Sequence, residues 1–400
     1  MLKGDFKFLK NMNEQIVLNL IRENDIISSS ELVQATGMRP STIFNILKDL
    51  SNKELVNNLG KGESTDKGGK KPFIWKLNGS AHYVVGLDVE SKEIKAVVMN
   101  LEGQVITAHS YPMSVAKDLP DLVQNIKLCV DSVIIESKIN REKFIGIGIA
   151  FAGVINSKAG KIVTTDVIPR LNFDIMTSLE EVMDLPVMID NNANVAALGA
   201  AWVGKGKGFN NSITVLAQFN QNVGGIGIGL ILNGELHRGK SSCAGELNKH
   251  LPKIRDVLIS INNRLEEGHV LRNYCDNISA IDLKVIIEAA KQNDQVANVF
   301  IKRLGHIIGT LISTPIALLN PDGLIISGDI SELGDLIIEP VRDVIELELL
   351  SLTSEALSIV TSVDGYHSVA VGAGCLILHE YFKVPQVSVP RNWENQESDN

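Results

Sequence analysis

The sequence predicts an α/β protein: a small helical head with a strand hairpin, then a larger body of two similar lobes. Three observations point there. The chain has 400 residues, more than one hydrophobic core usually serves. Its charge is uneven, with 12 Lys+Arg against 9 Asp+Glu in residues 1–78 and 26 against 38 in the rest. Beyond residue 80, a group of strands followed by helices occurs twice.

The composition excludes several classes. With 44% apolar and 21% charged residues and a mean hydropathy of +0.11, the chain has the material for a large core. No run reaches the roughly 18 apolar residues of a membrane span, and the start, MLKGDFKFLKNMNE, lacks the apolar stretch of a secretory signal. A cytoplasmic protein without a membrane partner is expected. Cys129, Cys243, Cys275 and Cys375 form no CxxC pair, which argues against a disulfide framework and a cysteine zinc site.

In the head, Ile16, Val17, Leu20 and Ile21 lie on one stripe of a helix over Asn13–Glu23. The capping box Ser28-Ser29-Ser30-Glu31 starts a second helix, with Leu32, Val33 and Ala35 inward, and Gly37 ends it. Pro40 suits the first turn of a third helix whose inner face is Ile43, Ile46, Leu47 and Leu50. Arg39 stands where a Ser, Thr or Asp cap is usual. Together with Arg39, the outer face carries Ser41, Thr42, Asn45 and Lys48. Two helices around a glycine turn, with small polar and basic residues outward, form a helix-turn-helix, which lays its second helix in the major groove of DNA. Glu54–Asn57 and Pro72–Leu77 read as strands joined by GKGESTDKGGKK. That loop resembles the wing of a winged helix, with Lys70 and Lys71 among the groups reaching phosphates. A three-helix protein-interaction module is the competing reading of this head.

In the body, Tyr83–Asp88, Ile94–Asn100 and Gln104–Tyr111 read as three strands, followed by a helix near Leu119–Ser137 and the strand Phe144–Ala150. The order recurs in Ile213–Gln218, Gly225–Leu232 and Glu235–His237, then helices, then Gly323–Ser327. Two such lobes with a cleft between them are the architecture of the actin-like ATPase (ribonuclease H-like) sugar kinases. A single doubly wound sheet is the alternative, disfavoured by the size at which cores split. The expected division is 1–78 for the head, 79–200 for lobe one, 201–383 for lobe two with the C-terminal helix, and 384–400 for a polar, disordered tail.

These blocks resemble the ROK family, which groups repressors, uncharacterised frames and sugar kinases, over nearly the whole chain. GGKKP (68–72) is similar to the GGRRP wing of the family's repressors. GIGIAFAGVI (146–155), LPVMIDNNANVAALGA (185–200), ILNGELHRG (231–239), AGEL (244–247), LNPDGLIISG (319–328) and VAVGAG (369–374) follow the family's body blocks in order.

What the resemblance implies about chemistry turns on substitutions. Family kinases carry Asp-Gly-Gly-Thr after the first strand, where small residues admit the ATP phosphates. Here stand Asp88-Val89-Glu90-Ser91-Lys92, and Glu90 brings a negative charge to that place. The kinases' Gly-Thr-Gly loop is matched by Val223-Gly224-Gly225, without the hydroxyl. Gly225, Gly227 and Gly229 alternate along an apolar strand and read as close packing against a neighbour. Asn192 stands where the kinases hold the aspartate that takes the sugar's proton; a carboxamide cannot be that base. Substitution by Asp190 would require a shift of two residues along the element.

Sugar recognition needs only donors and acceptors. Asn191, Asn192 and Glu246, the last matching the family glutamate that contacts sugar hydroxyls, are the candidate effector-binding residues, with Asn172 added by position. Turn and cap duty competes for the asparagines. Lys249 replaces the family's zinc-ligating histidine, His250 falls one place late, and no cysteine lies between Leu251 and Gly268, so neither zinc nor a cofactor is expected. Lys249 suits a phosphorylated or acidic sugar, or is a plain exposed lysine.

The resemblance thus implies a sugar-responsive transcriptional regulator, a repressor more readily than an activator, without catalytic residues. Operator DNA, a carbohydrate or sugar-phosphate effector and a second copy of the chain, as dimer or tetramer, are the implied partners. An active ROK-type sugar kinase with a DNA-binding head and a ligand-independent DNA-binding protein with a decayed sensor remain as alternatives.

Overall fold

The computed structural model describes the chain apart from residues 1–5, 63–70, 114–115, 166, 169–171, 221–222, 248–249, 263–270, 272–280, 364 and 386–400. Two compact units result: a head of residues 1–81 with 379–400, and a body of His82–Leu378. Past residue 385, the expected tail lies outside the described residues.

The head comprises α1 (Phe6–Glu23), β1 (Ile26–Ser28), α2 (Ser29–Thr36), α3 (Pro40–Asn52), β2 (Val56–Lys61) and β3 (Phe73–Leu77). Ser28 accepts the amide of Glu31 and Glu31 accepts the amide of Ser28, the reciprocal box the sequence predicts. Gly37 closes α2 at φ +67°, a left-handed conformation that glycine adopts without steric cost. Pro40 opens α3, and Arg39 caps it without a side-chain hydrogen bond. Val17, Ile21, Leu32, Ile43, Leu47 and Leu50 are buried together with Trp75 and Leu77 of β3.

Strand β1 is absent from the sequence reading because three residues carry no period; antiparallel pairing with β3 creates it. The sheet order β1-β3-β2 completes a winged helix. The last turn of the C-terminal helix also belongs to this unit. There Gln15 and Asn19 donate side-chain amide hydrogen bonds to the carbonyls of Tyr381 and Phe382, and Arg22 lies 5.1 Å from the centre of the Phe382 ring.

In the body, β4 (Tyr83–Val89), β5 (Glu93–Asn100) and β6 (Val105–Pro112) form a meander, and after α4 (Leu119–Ser137) the strand β7 (Phe144–Phe151) returns parallel to β4. The short strands β8 (Ile155–Asn156), β9 (Lys161–Ile162) and β10 (Phe173–Asp174) form a small separate sheet. They precede α5 (Met176–Glu180), β11 (Val187–Asn191) and α6 (Asn192–Trp202). The main sheet runs β11-β7-β4-β5-β6.

The second half repeats the plan. A meander of β12 (Ser212–Asn220), β13 (Val223–Leu232) and β14 (Glu235–Leu236) is joined by β15 (His250–Leu251) on β13. There follow α7 (Ile254–Asn262), α8 (Leu283–Lys291), α9 (Gln295–Leu319), β16 (Gly323–Ser327), α10 (Asp335–Glu348), α11 (Ser351–Ala356), β17 (Ser358–Thr361) and α12 (Ser368–Phe382). The order β14-β13-β12-β16-β17 matches the first sheet strand for strand, so the body is a duplicated ribonuclease H-like lobe, the actin-like fold. Each lobe has its own core, one around Leu87, Ile126 and Ile149, the other around Val215, Phe300 and Ile326.

Helices α6 and α12 are apolar on every side and buried almost throughout. Their packing does not follow chain order. Helix α12, assigned to lobe two, lies on the first sheet: a Cβ at Gly86 would fall 2.0 Å from the Ala370 carbonyl oxygen, and one at Gly148 1.8 Å from that of Ala373. Helix α6, assigned to lobe one, packs on β12 and β13 of the second sheet, where Gly229 meets the Ala193 carbonyl and the Ala197 methyl. Of the three alternating glycines, Gly227 and Gly229 thus serve close packing, while Gly225 has no such neighbour.

Among the described residues no helix is long and apolar enough to cross a membrane.

Gly148→Ala should destabilise the body by about 1–3 kcal/mol, as overpacking does in a filled core. Gly225→Ala, whose added carbon would meet nothing nearer than 3.9 Å, should unfold near the wild-type midpoint. Urea denaturation followed by circular dichroism compares the two; equal midpoints would mean that α12 does not rest on β7 as described.

Candidate functional site

Strand β11 ends and α6 begins at Asp190-Asn191-Asn192, so a strand end and a helix start gather three polar side chains. Asp190 is fully buried; one carboxylate oxygen meets Arg238 Nε at 2.7 Å and its terminal nitrogen at 2.6 Å. The other accepts the Asn191 amide at 2.8 Å and Asn194 Nδ2 at 2.9 Å. A carboxylate held this way organises its surroundings and has little freedom to take a substrate proton.

Asn191 is buried, and its Oδ1 caps α6 by accepting the amides of Ala193 and Asn194 at 2.8 and 3.1 Å. Its Nδ2 donates to the Gly153 carbonyl at 2.8 Å and to Glu246 Oε1 at 3.2 Å. Both lone pairs and both N–H groups are therefore engaged within the protein. Cap duty and contact with Glu246 coexist in one side chain. Glu246 is exposed as a residue, yet partial burial raises its carboxyl above the ordinary pKa. Asn192, half-buried, donates from Nδ2 to Gln218 Oε1 at 3.2 Å.

Gln218 connects this group to a second one. Its Nε2 donates to Glu90 Oε1 at 3.3 Å and, at the limit of hydrogen bonding, to Asp88 Oδ2 at 3.5 Å. Between these carboxylates lies Lys95, a 3% exposed lysine on β5, 2.7 Å from Glu90, 3.8 Å from Glu93 and 4.0 Å from Asp88. The ammonium also sits 4.3 Å from the centre of the Tyr366 ring, whose hydroxyl donates to Glu93 at 2.8 Å. Burial would lower the Lys95 pKa, but Asp88 and Glu90 outweigh it and hold the group above its usual value. Burial first, and the Glu90 charge second, push the Asp88 carboxyl well above the carboxylate range despite Lys95. Glu90 is thus not an isolated negative charge but one member of a partly buried ion network.

Asn172 is exposed in a left-handed turn, φ 51°, its amide bonded to the Val163 carbonyl. Among the described residues it makes no hydrogen bond with Asn191, Asn192 or Glu246. Lys249 and Lys70 lie outside the described residues.

On the head, Arg39, Ser41, Asn45, Lys48 and Lys71 are exposed and Thr42 is half-buried. Thr42, Asn45 and Lys48 border a groove of about 760 Å³ between α1 and α3, whose opposite wall is Leu9, Lys10 and Asn13. A Lys10–Asp49 ion pair at 2.8 Å spans the two helices.

Lys95, Gln218 and Arg238 were missed as site residues. A lone lysine in the apolar strand EIKAVVMN was the available signal, since a buried ammonium must find anions. Nothing local marks Gln218 or Arg238, whose partners lie far away in sequence.

The ROK family profile matches residues 84–257 and 260–380. The chain is 25% identical to a xylose repressor of Caldicellulosiruptor bescii, over 96% of this chain and 99% of that protein. A crystal structure of a ROK family transcriptional regulator, a homolog of the E. coli MLC protein, matches with a TM-score of 0.74 at 19% identity, covering 94% of this chain and 97% of the other. A ROK family glucokinase from Streptomyces griseus, solved with glucose and AMPPNP, matches with a TM-score of 0.62 at 21% identity over 74% of this chain and 98% of the enzyme. Identities this low establish a shared fold.

Lys95→Met should remove the cation that Glu90 bonds and that faces Asp88 and Glu93, costing about 3–5 kcal/mol. Burial already holds the folded-state pKa of Asp88 well above its unfolded value, and loss of Lys95 raises it further, so the Asp88 share of the penalty is absent while that group is protonated in both folded proteins and grows as pH rises through its raised wild-type value. Urea unfolding from acidic to alkaline pH measures the trend; a penalty independent of pH would contradict the ion network.

Proposed function

Because the chain belongs to the ROK family, we propose that it is a sugar-responsive transcriptional repressor, with operator DNA bound by the winged helix and a carbohydrate or sugar phosphate bound by a body that transfers no phosphoryl group. The observation that carries this reading is Asn192. A sugar hydroxyl attacking a phosphate must give up its proton, and at the position implied for the base stands an amide, hydrogen-bonded to Gln218. Asp190 offers no substitute while Arg238, Asn194 and a backbone amide occupy it. Beside them, the anionic cluster around Lys95 would repel a polyphosphate. The xylose repressor that matches nearly end to end supports the regulatory half of the reading.

In this reading Glu246 and Asn192 contact the effector, Asn191 holds Glu246 in place, and Asn172 is a third contact. Two heads of a dimer or tetramer read two half-sites, which multiplies the modest affinity of one small domain. The effector acts by binding one of two operator-affinity states more tightly than the other. The protein works in the cytoplasm and needs no metal or cofactor.

Three measurements test this. Changing Lys70 and Lys71 together to Ala should weaken binding to all duplexes and reduce the salt slope by roughly two, whereas Asn45→Ala should mainly change sequence preference. Sugars and sugar phosphates that raise the melting temperature should also shift DNA affinity, and Glu246→Ala should weaken them roughly ten- to a hundredfold. If no compound does both, the sensor half fails. With ATP and magnesium, wild type and Asn192→Asp should both leave sugars unphosphorylated; turnover by wild type would restore the kinase reading.

A further inference from the structure

An aromatic ring stands on the face of α3 that the winged-helix reading turns toward DNA. Phe44 is 64% exposed, although its neighbours Ile43, Ile46, Leu47 and Leu50 are buried on the inner side. It lies three residues after Ser41 and four before Lys48, and helical geometry brings positions so spaced onto one stripe. Ser41, Asn45 and Lys48, which flank the ring, are exposed as well. A ring placed there gains nothing from the core of the head, and its surroundings are unlike the apolar centre of a protein interface, where charged residues are depleted.

The chemistry of the groove identifies a partner for it. Base edges in the major groove offer hydrogen-bond donors and acceptors, which a phenyl ring cannot satisfy, and one apolar group, the C5 methyl of thymine. We infer that Phe44 is a specificity-determining residue, its ring packing against a thymine methyl while Ser41, Asn45 and Lys48 meet polar edges and phosphates. This rests on the DNA-binding reading above and deepens it by naming a base and the atom recognised.

The test begins with the full-length wild-type protein selecting duplexes from a randomised pool. In the enriched sequence each thymine is then replaced singly by deoxyuridine, which removes the methyl and keeps the hydrogen-bonding edge. At one thymine per half-site the replacement should weaken wild-type binding about fourfold, the value for one buried methyl group. Phe44→Ala should lose at least that much affinity for the thymine duplex and be indifferent to uracil at the same step. Phe44→Leu, which keeps an apolar surface, should retain part of the discrimination. Because the ring is exposed, both variants should melt with the wild type. The inference is overturned if wild type accepts uracil everywhere, or if Phe44→Ala discriminates as wild type does. Enrichment of no sequence would remove the DNA-binding reading itself, whereas an unaltered selection by Phe44→Ala removes only the role of the ring.

Discussion

The helix crossing between the two sheets of the body leaves no room for a side chain. Gly199 of α6 and Gly372 of α12 face each other, and a Cβ added at Gly372 would fall 1.9 Å from the Val195 carbonyl oxygen. Gly86 and Gly148 let the backbone of α12 down onto β4 and β7, and Gly229 admits α6 to β13. Contacts this close fix the height and angle of α6, because filled interiors are not continuously deformable. The polar residues at the start of α6 therefore inherit their positions from a packed apolar crossing some turns away. A binding constellation carried on a rigid element holds its geometry better than one on a loop. The cap made by Asn191 and the ion pair between Asp190 and Arg238 then secure the side chains on a backbone already in place.

Around Lys95 the same fold handles charge differently. Withdrawing ionisable groups from water is costly, and such groups tolerate burial only with partners on several sides. Lys95 has them: carboxylates from the β4–β5 hairpin and the face of Tyr366. Gln218 supplies amide hydrogens to the same carboxylates from β12 on the other sheet. The arrangement specifies how the hairpin closes, and loss of one member costs more than the intact network contributes. It also turns a turn that glycines would leave open to phosphates into one filled by its own side chains.

Most of the architecture was legible because it rests on periodicity. Strands β4 to β7 and helix α4 fall within a residue or so of their expected limits, and the caps at Ser28 and Gly37 follow from short-range chemistry. What sequence could not supply is pairing at a distance. Strand β1 exists only through β3, and α6 and α12 reach their sheets through small residues whose partners lie far along the chain. At the site, residue types were readable but their allegiances were not. Asn191 looked like either a cap or a contact and is engaged as a cap and a support for Glu246. Glu90 looked like an unpaired charge until Lys95, five residues on, appeared beside it.

The head contains residues from both sides of the body in sequence: α1 receives the carbonyls of Tyr381 and Phe382 through Gln15 and Asn19. During synthesis the three-helix part emerges first, but its last hydrogen-bonding partners leave the ribosome only after every strand of the body. The order of translation thus delays completion of the head until the body has been made. A fragment cut after residue 81 would keep the helix-turn-helix yet expose the side of α1 that those last residues cover.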